Sequence, residues 1–346
     1  MERIIPAESL KRLGRFDPEQ KGCVLGWAMS GVKLRAACSQ LMVEINCDYG
    51  DQSPWMGVLV DEAPMARFAL RRGTHWYPVL SGMDAGCAHD ISIVRDTQPV
   101  YGDAQMKVEI LNISLDGDVL PLADKQMVIE FVGDSLTSGE GVVGAPKDAE
   151  WRLAYLSAMN TYAQLAAAEL DAEGRWVSLS GWGVHCSWDA HEEFRIPAVY
   201  HQVCGADASG GAAYDFAQRP ADVVVINLGT NDGTPMQPLQ GRARSRYRKT
   251  FCEDTKAFLR QVRQCNPHAL ILWAYGMCGR PLEKEIRQAV AARREEGDLR
   301  VDYLRLPACP GEEIGSRQHP GAAYHRRAGK MIAEYIRAKL HSEENA

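Results

Sequence analysis

The chain has 346 residues, 46% of them hydrophobic, so it is long and apolar enough to bury a large core in one or two domains. Its formal net charge of −6 describes a mildly acidic protein that lacks the basic surface needed to neutralise a phosphate backbone. These values argue against disorder and against nucleic acid as a partner.

The N-terminal segment MERIIPAESLKRLGRF is charged throughout and lacks the apolar stretch and cleavage site of a secretory signal. No later run is long and apolar enough to span a bilayer, so we expect no membrane partner. The ten cysteines are scattered, without a CxxC pair, and we expect them to be reduced. Together these features predict a cytoplasmic protein, and they say nothing about its oligomeric state.

Between roughly Gly22 and Leu122 the sequence consists of short alternating runs that are broken by Gly, Pro, Asp and Asn. This pattern is typical of a β-sandwich, and we assign residues 1–124 to such a domain. The candidate strands are KLRAACSQLMVEINCDYG, WMGVLVDE, ARFALRRG, HWYPVL, HDISIVRD and KVEILNISLDG.

After Asp124 apolar strands alternate with helical stretches, which predicts an α/β domain over residues 125–346 with a parallel sheet flanked by helices. The candidate strands are MVIEFVG, WVSLS, DVVVINLG, ALILWAYG and DYLRL. The candidate helices are NTYAQLAAAEL, KTFCEDTKAFLRQVRQC, PLEKEIRQAVAARREEG and AYHRRAGKMIAEYIRAKL.

The first candidate functional segment is VIEFVGDSLTSGEG, in which a strand runs directly into Gly133, Asp134 and Ser135. Ligands bind at the carboxyl ends of the strands in a parallel sheet, so Ser135 is placed for nucleophilic chemistry. A simple helix N-cap is the competing interpretation of this serine. We expect Asp134 to shape the turn by accepting hydrogen bonds from backbone amides.

Two further strand ends offer hydrogen-bond donors. In DVVVINLGTND a buried strand is followed by Asn231, whose amide can stabilise a developing oxyanion, although an Asn-Asp turn would look the same. In WVSLSGWGV the strand ends near Gly181, where the lack of a side chain lets a backbone N–H approach a substrate carbonyl. Gly183 is a competing candidate for that donor.

The segment GSRQHPG places His319 directly before the last helix and before a proline, which holds it in a constrained turn. A neutral imidazole is the natural proton acceptor for a serine hydroxyl near pH 7. A single loop histidine is more often an ordinary surface residue, so this assignment depends on the other segments.

In this order, the segments resemble the conserved blocks of the SGNH (GDSL-type) hydrolases. The four residues after which that superfamily is named, a serine, a glycine, an asparagine and a histidine, correspond here to Ser135, Gly181, Asn231 and His319. The preceding β-rich region, with SGVKLR, PWMGVLVDE and YGDAQMKVEILNISLDGDVL, further resembles carbohydrate esterase family 2. That resemblance implies an N-terminal jelly roll, a C-terminal flavodoxin-like SGNH domain, and removal of O-acetyl groups from sugars through an acetyl-enzyme.

The chain departs from the superfamily at one position. Most SGNH enzymes have an aspartate three residues before the histidine, and here that residue is Ser316. A Ser-His dyad whose imidazole is held by a backbone carbonyl is known in family 2 esterases, so the resemblance implies Ser135 and His319 as the catalytic pair. Glu312 and Glu313 remain open as substitutes for the missing acid.

The resemblance also implies an oxyanion hole formed by the backbone N–H groups of Ser135 and Gly181 and the side chain of Asn231, with no metal or organic cofactor. The glycine pattern of GEGVVG is a weak dinucleotide signal because it does not follow its strand directly. Histidines at 185, 191 and 201 fit no common zinc spacing.

Aromatic residues near the strand ends suggest a platform on which a sugar ring could stack, and the candidates are Trp182, Trp188 and Trp273. Core packing is at least as good an explanation for Trp273. The sequence therefore predicts an esterase acting on acetylated sugars or oligosaccharides. The alternatives are a short-chain esterase with a non-sugar substrate and an inactive carbohydrate-binding protein.

Overall fold

The computed structural model describes residues 3–205 and 211–344. Its strands are β1 (Arg3–Pro6), β2 (Lys11–Leu13), β3 (Cys23–Val24), β4 (Gly31–Ala37), β5 (Gln40–Asp48), β6 (Trp55–Val60), β7 (Ala63–Ala69), β8 (Gly73–Ser81), β9 (His89–Arg95), β10 (Lys107–Leu115), β11 (Asp118–Leu120), β12 (Met127–Gly133), β13 (Ala172–Ser178), β14 (Val223–Asn227), β15 (Leu270–Tyr275) and β16 (Val301–Arg305).

The α-helices in the same ranges are α1 (Ser135–Ser138), α2 (Tyr162–Glu169), α3 (Ile196–Val199), α4 (Thr230–Met236), α5 (Gly241–Cys265), α6 (Glu283–Glu295) and α7 (Ala322–Glu344). Short 3₁₀ helices lie at Ala7–Ser9, Leu153–Tyr155, Ala158–Asn160, Gly311–Glu313 and Ser316–Gln318. None of these described helices is both long and apolar enough to cross a bilayer.

The N-terminal part is a β-sandwich, as the alternating sequence pattern predicts. One antiparallel sheet has the order β1-β10-β5-β8, with β3 beside β10, and the other has the order β11-β4-β9-β6-β7, with β2 beside β4. In β5 every second residue is buried, and this face packs on one core with apolar residues of the facing sheet. The specific jelly-roll connectivity remains a prediction.

The C-terminal part is a parallel sheet in the order β13-β12-β14-β15-β16, the flavodoxin-like order, which confirms the predicted α/β fold. The strands are apolar along their length because helices cover both faces. Helices α2 and α7 pack on one face, and α5 and α6 pack on the other. The strand order reverses at β12 and β14, so the crevice between their carboxyl ends is where such sheets bind ligands.

The sequence pattern predicted a start of helix α5 that is too late in the chain. Helix α5 begins at Gly241, whereas the amphipathic pattern predicted a start at Lys249. The added turns contain alternating arginines on an exposed surface, so they show no apolar stripe, although Arg and Ala are good helix formers.

A buried ion pair joins the sandwich to the parallel sheet. Arg15, which follows β2, contacts Glu130 of β12 with an Nη2–Oε2 distance of 2.9 Å, and both side chains are fully buried. Tyr200 donates a hydrogen bond of 2.6 Å to the same carboxylate. Burial alone would raise the pKa of Glu130, but the charges of Arg15 and Arg175 hold it below its ordinary value. The predicted boundary after Asp124 falls between β11 and β12.

Candidate active site

Ser135 lies at the carboxyl end of β12, where the strand turns sharply into α1. Asp134 is the N-cap of this helix, and its Oδ1 accepts a hydrogen bond of 3.0 Å from the N–H of Leu136, which confirms its predicted role in the turn. A Cβ at Gly133 would lie 1.9 Å from Oγ1 of Thr137, so only glycine permits this close approach.

The structure brings Ser135 and His319 together from opposite ends of the domain. The Nε2 atom of His319 lies 2.9 Å from Oγ of Ser135, and its Nδ1 lies 2.8 Å from the carbonyl oxygen of Arg317. Because a carbonyl can only accept a hydrogen bond, Nδ1 bears the proton and the lone pair of Nε2 faces the serine hydroxyl. This is the tautomer that a general base for Ser135 requires.

The carbonyl that holds the imidazole belongs to an unusual backbone segment. Arg317 and Gln318 both adopt left-handed conformations, with φ of 52° and 59°, which non-glycine residues rarely occupy. Arg317 is anchored by hydrogen bonds from its N–H to the carbonyl of Asp148 (3.0 Å) and from its side chain to the carbonyl of Ala149 (3.1 Å) and to Glu140 Oε1 (2.5 Å). These anchors fix the direction of the carbonyl.

The glycine-rich pattern after α1 makes room for this loop. A Cβ at Gly141 would lie 2.5 Å from Cβ of His319, and one at Gly144 would lie 2.3 Å from Oγ of Ser316. The two glycines therefore let the segment that contains the histidine pack against the segment that contains the nucleophile. These glycines serve close packing between two loops, which agrees with the conclusion that GEGVVG is not a dinucleotide-binding motif.

Two backbone donors face the site without an acceptor among the described residues. Neither the N–H of Ser135, at the first position of α1, nor the N–H of Gly181 donates a hydrogen bond there. Gly181 has φ of +83°, so its conformation favours glycine. Both groups are free to donate to an oxyanion, and their part in an oxyanion hole stays a prediction. Gly183, the competing donor, instead packs against the carboxylate of Asp232.

The side chain of Asn231 already donates two hydrogen bonds within the chain. Its Nδ2 donates to the carbonyl of Trp182 at 2.8 Å and to Oδ2 of Asp134 at 3.2 Å. Both amide hydrogens are therefore used, and Asn231 can serve an oxyanion only if one of these bonds is redirected. Its place in the oxyanion hole stays a prediction.

Asp232 holds the loop that follows β13. Its carboxylate accepts hydrogen bonds from the N–H groups of Val184 (3.0 Å), His185 (2.7 Å) and Cys186 (3.2 Å). Burial raises the pKa of Asp232, and these hydrogen bonds oppose the increase. The loop presents Trp188, whose backbone N–H donates to the carbonyl of Gly181 at 2.9 Å.

Two buried titratable groups near Ser135 and His319 have strongly shifted pKa values. Burial raises the pKa of Asp134 to about 7, with a hydrogen bond from Leu136 acting in the opposite direction. Burial lowers the pKa of His325 to about 3, so this histidine is neutral and its Nδ1 accepts a hydrogen bond of 3.2 Å from the N–H of Tyr162. His325 supports the fold behind the dyad and does not compete as a base.

Only one of the three predicted platform tryptophans is available to a ligand. Trp188 is 58% exposed and packs beside Gly181. The prediction is wrong for Trp182, whose ring packs between Tyr101 and Phe194, and for Trp273, which is 0% exposed. Both residues belong to the core because the strand ends are covered by neighbouring loops and helices.

The structure also resolves the question of a substitute acid. Glu313 pairs with Arg327, and Glu312 is exposed in a 3₁₀ helix, so neither contacts His319. A carboxylate that the sequence analysis missed, Glu140, lies beside the imidazole, with Oε1 3.9 Å from Nδ1. Its only sequence signal was a charge flanked by glycines directly after the nucleophile segment.

No group of His, Cys, Asp or Glu in residues 3–205 and 211–344 is arranged to hold a metal ion. His185 instead pairs with Asp254 at 2.7 Å, and this hydrogen bond raises its pKa. The site that the described residues form is a Ser-His pair with two free backbone donors.

A serine and histidine so arranged at the switch point of a flavodoxin-like sheet define a serine hydrolase of the SGNH type. The sequence profile of the GDSL-like lipase/acylhydrolase family matches residues 131–332, and the chain belongs to this family. The matched segment begins within β12 and ends within α7, and it includes Ser135, Asn231 and His319.

Relatives and solved structures extend the similarity over the sandwich. The chain is 26% identical to the cellulase/esterase CelE of Acetivibrio thermocellus over 94% of its own length and 39% of that protein, so it spans well under half of this relative. It is 25% identical to an acetylxylan esterase / glucomannan deacetylase of Cellvibrio japonicus over 90% of its own length and 84% of that protein.

Among solved structures, the acetyl xylan esterase Est2A from the rumen bacterium Butyrivibrio proteoclasticus has a TM-score of 0.93 and 28% identity, covering 99% of both chains. A family two carbohydrate esterase from Clostridium thermocellum in complex with cellohexaose has a TM-score of 0.82 and 25% identity, covering 98% of this chain and 99% of that one. The similarity therefore includes both the sandwich and the parallel sheet.

Proposed function

We propose that this protein is a carboxylic-ester hydrolase that removes O-acetyl groups from acetylated sugars or oligosaccharides. The observation on which the proposal chiefly rests is the 2.9 Å contact between Oγ of Ser135 and Nε2 of His319, with Nδ1 held by a carbonyl. The printed functions of the relatives, an acetylxylan esterase and a glucomannan deacetylase among them, support the choice of substrate.

The proposed reaction proceeds by acyl transfer in two steps. His319 accepts the hydroxyl proton of Ser135 while Oγ attacks the acetyl carbonyl carbon, and the tetrahedral intermediate collapses with release of the sugar alcohol, which His319 protonates. Water then attacks the acetyl-enzyme with His319 again as base, and acetate leaves. The backbone N–H groups of Ser135 and Gly181 receive the oxyanion in both steps.

Sugar recognition in this proposal centres on the loop that Asp232 holds. Trp188 offers an exposed indole next to Gly181, and an aromatic face packs well on the apolar face of a pyranose ring. The partner is therefore a carbohydrate.

Acetate release from chemically acetylated xylo-oligosaccharides and manno-oligosaccharides tests the proposal. We expect release by the wild-type protein and none above background by the Ser135→Ala variant. Turnover of simple acetyl esters without any turnover of acetylated sugars would favour the short-chain esterase. Binding of glycans without hydrolysis of any ester would favour the carbohydrate-binding protein.

We further propose a cytoplasmic location. The ten cysteines all lie within the described ranges and have free thiols, and Cys87 is exposed, an arrangement that a reducing compartment preserves. Fractionation of the native host with an antibody against the chain tests this proposal. Recovery with the secreted or surface proteins would contradict it.

A further inference from the structure

Glu140 is a buried carboxylate on the nucleophile's own segment. It lies two residues after the end of α1, and its N–H donates to the carbonyl of Ser135 at 2.9 Å. Its side chain is 3% exposed, and its Oε1 lies 3.9 Å from Nδ1 of His319. Among the described residues it is the one carboxylate that approaches this imidazole within 4.0 Å.

The 3.9 Å distance between Glu140 and His319 means that Glu140 does not perform both functions of a triad carboxylate. At 3.9 Å Glu140 does not hydrogen-bond to Nδ1, whose proton goes to the carbonyl of Arg317. In a Ser-His-Asp triad a single carboxylate both orients the imidazole and stabilises the imidazolium. Here the carbonyl can orient the ring, but it bears no net charge.

We propose that Glu140 and Arg317 together replace the missing triad acid, with Arg317 supplying the carbonyl and Glu140 supplying the negative charge. Glu140 is thus a positioning residue that acts through His319 and through the anchored loop. The inference rests on the proposed ester hydrolysis, because Glu140 replaces a triad acid only if His319 acts as the base for Ser135. It concerns the charge state of His319, which can be measured without any substrate.

The charge of Glu140 is not cancelled by its partner. Arg317 pairs with it through Nε at 2.5 Å, but the arginine side chain is 35% exposed and the carboxylate only 3%. Water screens the guanidinium more strongly than it screens the buried carboxylate. We therefore expect the pair to leave a net negative potential at the imidazole.

Other titratable groups around His319 come from three elements. Asp134 and Glu140 flank α1, Arg317 lies on the histidine's own loop, and His325 faces it from α7. His325 is neutral, and the carboxylate of Asp134 is engaged by Leu136 and Asn231. Glu140 is therefore the group whose charge is best placed to stabilise the imidazolium.

The variant that isolates the charge is Glu140→Gln, because glutamine has nearly the same shape and its carbonyl can still accept the hydrogen bond from Arg317. The matched control is Glu150→Gln, which removes the same charge from a carboxylate that is 74% exposed and pairs only with Arg152 among the described residues. The readout is the pKa of His319, followed by NMR of the ring and assigned with His319→Gln.

We expect Glu140→Gln to lower the pKa of His319 by about one unit, because an opposite charge at about 4–6 Å is being removed. In parallel, the acidic limb of kcat/KM against pH should move by the same amount toward lower pH. We expect kcat to fall about tenfold with little change in KM, since the lost stabilisation applies to the imidazolium formed during reaction.

A second variant should shift the pKa of His319 in the opposite direction. Arg317→Asn removes the guanidinium, and asparagine tolerates the left-handed backbone of this position better than most residues. The charge of Glu140 would then be unscreened, and the pKa of His319 should rise. Glu140→Asp, which retains the negative charge, should restore most of the wild-type pKa of His319.

An unchanged pKa of His319 in Glu140→Gln, or shifts of the same sign in Glu140→Gln and Arg317→Asn, would overturn the inference and leave Glu140 as a loop anchor. If Glu140→Gln alone fails to fold, the double variant Glu140→Gln/Arg317→Asn is compared with Arg317→Asn, and a His319 pKa that is no lower in the double variant would overturn the inference. A wild-type protein inert toward every ester would contradict the proposed function, while the NMR result would still decide the inference.

Discussion

The carbonyl oxygen of Arg317 lies 2.8 Å from Nδ1 of His319, in the place that an aspartate occupies in most triads of this superfamily. The left-handed conformation of Arg317 aims this oxygen at the ring, and three anchoring hydrogen bonds hold the residue there. Such a backbone conformation costs about 1–3 kcal/mol, and these hydrogen bonds offset that cost. The histidine is thus oriented without a carboxylate contact.

Loss of the Asn231 amide should reduce turnover. We expect Asn231→Ala to lower kcat about 100- to 1,000-fold on an acetyl ester if one amide hydrogen turns to the oxyanion during reaction. Asn112→Ala, in β10, is the control and should leave kcat unchanged. A loss below about threefold would indicate that Nδ2 stays with Trp182 and Asp134, and that the backbone N–H groups act alone.

Removal of the exposed indole should affect sugars selectively. Trp188→Ala should raise KM for acetylated oligosaccharides about three- to tenfold, equivalent to the ~0.5–1.5 kcal/mol of an aromatic packing contact. KM for 4-nitrophenyl acetate should not change. Leu299→Ala removes an apolar side chain that is also well exposed, next to the strand at the opposite edge of the sheet, and should alter neither value. An equal effect on both substrates would argue against a sugar platform.

The buried pair between the two parts of the chain should dominate stability. Arg15→Ala leaves the carboxylate of Glu130 buried with a missing partner, and we expect the free energy of unfolding to fall by about 3–5 kcal/mol. Urea denaturation measures this loss. Arg152→Ala breaks an exposed pair and should cost less than about 1 kcal/mol. Similar losses in both variants would contradict the importance of the buried network.

His325 should make the protein sensitive to acid. Its folded pKa of about 3 lies below the ordinary value of about 6.5, so protons favour the unfolded chain. The stabilisation is complete above about pH 6.5 and is lost as the pH falls toward 3. From this residue alone, the wild type should lose roughly 2 kcal/mol between about pH 8 and pH 5.

His325→Asn keeps an acceptor for the N–H of Tyr162 but cannot titrate. The variant should therefore be less stable than the wild type at about pH 8, because the ring is lost, while its stability should fall less on acidification. Urea titrations at the two pH values measure both quantities. Equal losses on acidification in the two proteins would contradict the assignment.

Residues at strand ends could be predicted from the sequence, whereas contacts made through loops could not. Ser135 and Asn231 follow apolar strands, and parallel strands place their carboxyl ends together whatever their order. Glu140 and Arg317 are separated by 177 positions, and their contact depends on a left-handed backbone that no sequence pattern signals.

The tryptophans show a second limit of prediction from the sequence. Both faces of the parallel sheet are covered by helices, so the period of two along β15 does not distinguish an exposed side chain from a core one. Trp273 is buried for that reason, while Trp188 lies in a loop whose course is set by hydrogen bonds to Asp232. Of the three predicted tryptophans only Trp188 is exposed, and its role as a sugar platform stays a prediction.

The central claim is that Ser135 forms an acetyl-enzyme with His319 as its base, and mass spectrometry of the acid-quenched protein during turnover of an acetylated oligosaccharide tests it most directly. We expect a single acetyl group on the peptide that contains Ser135, and none in Ser135→Ala. Acetate release with no acetyl group on this peptide in a rapid-quench time course, or acetylation of a different residue during turnover, would contradict the account.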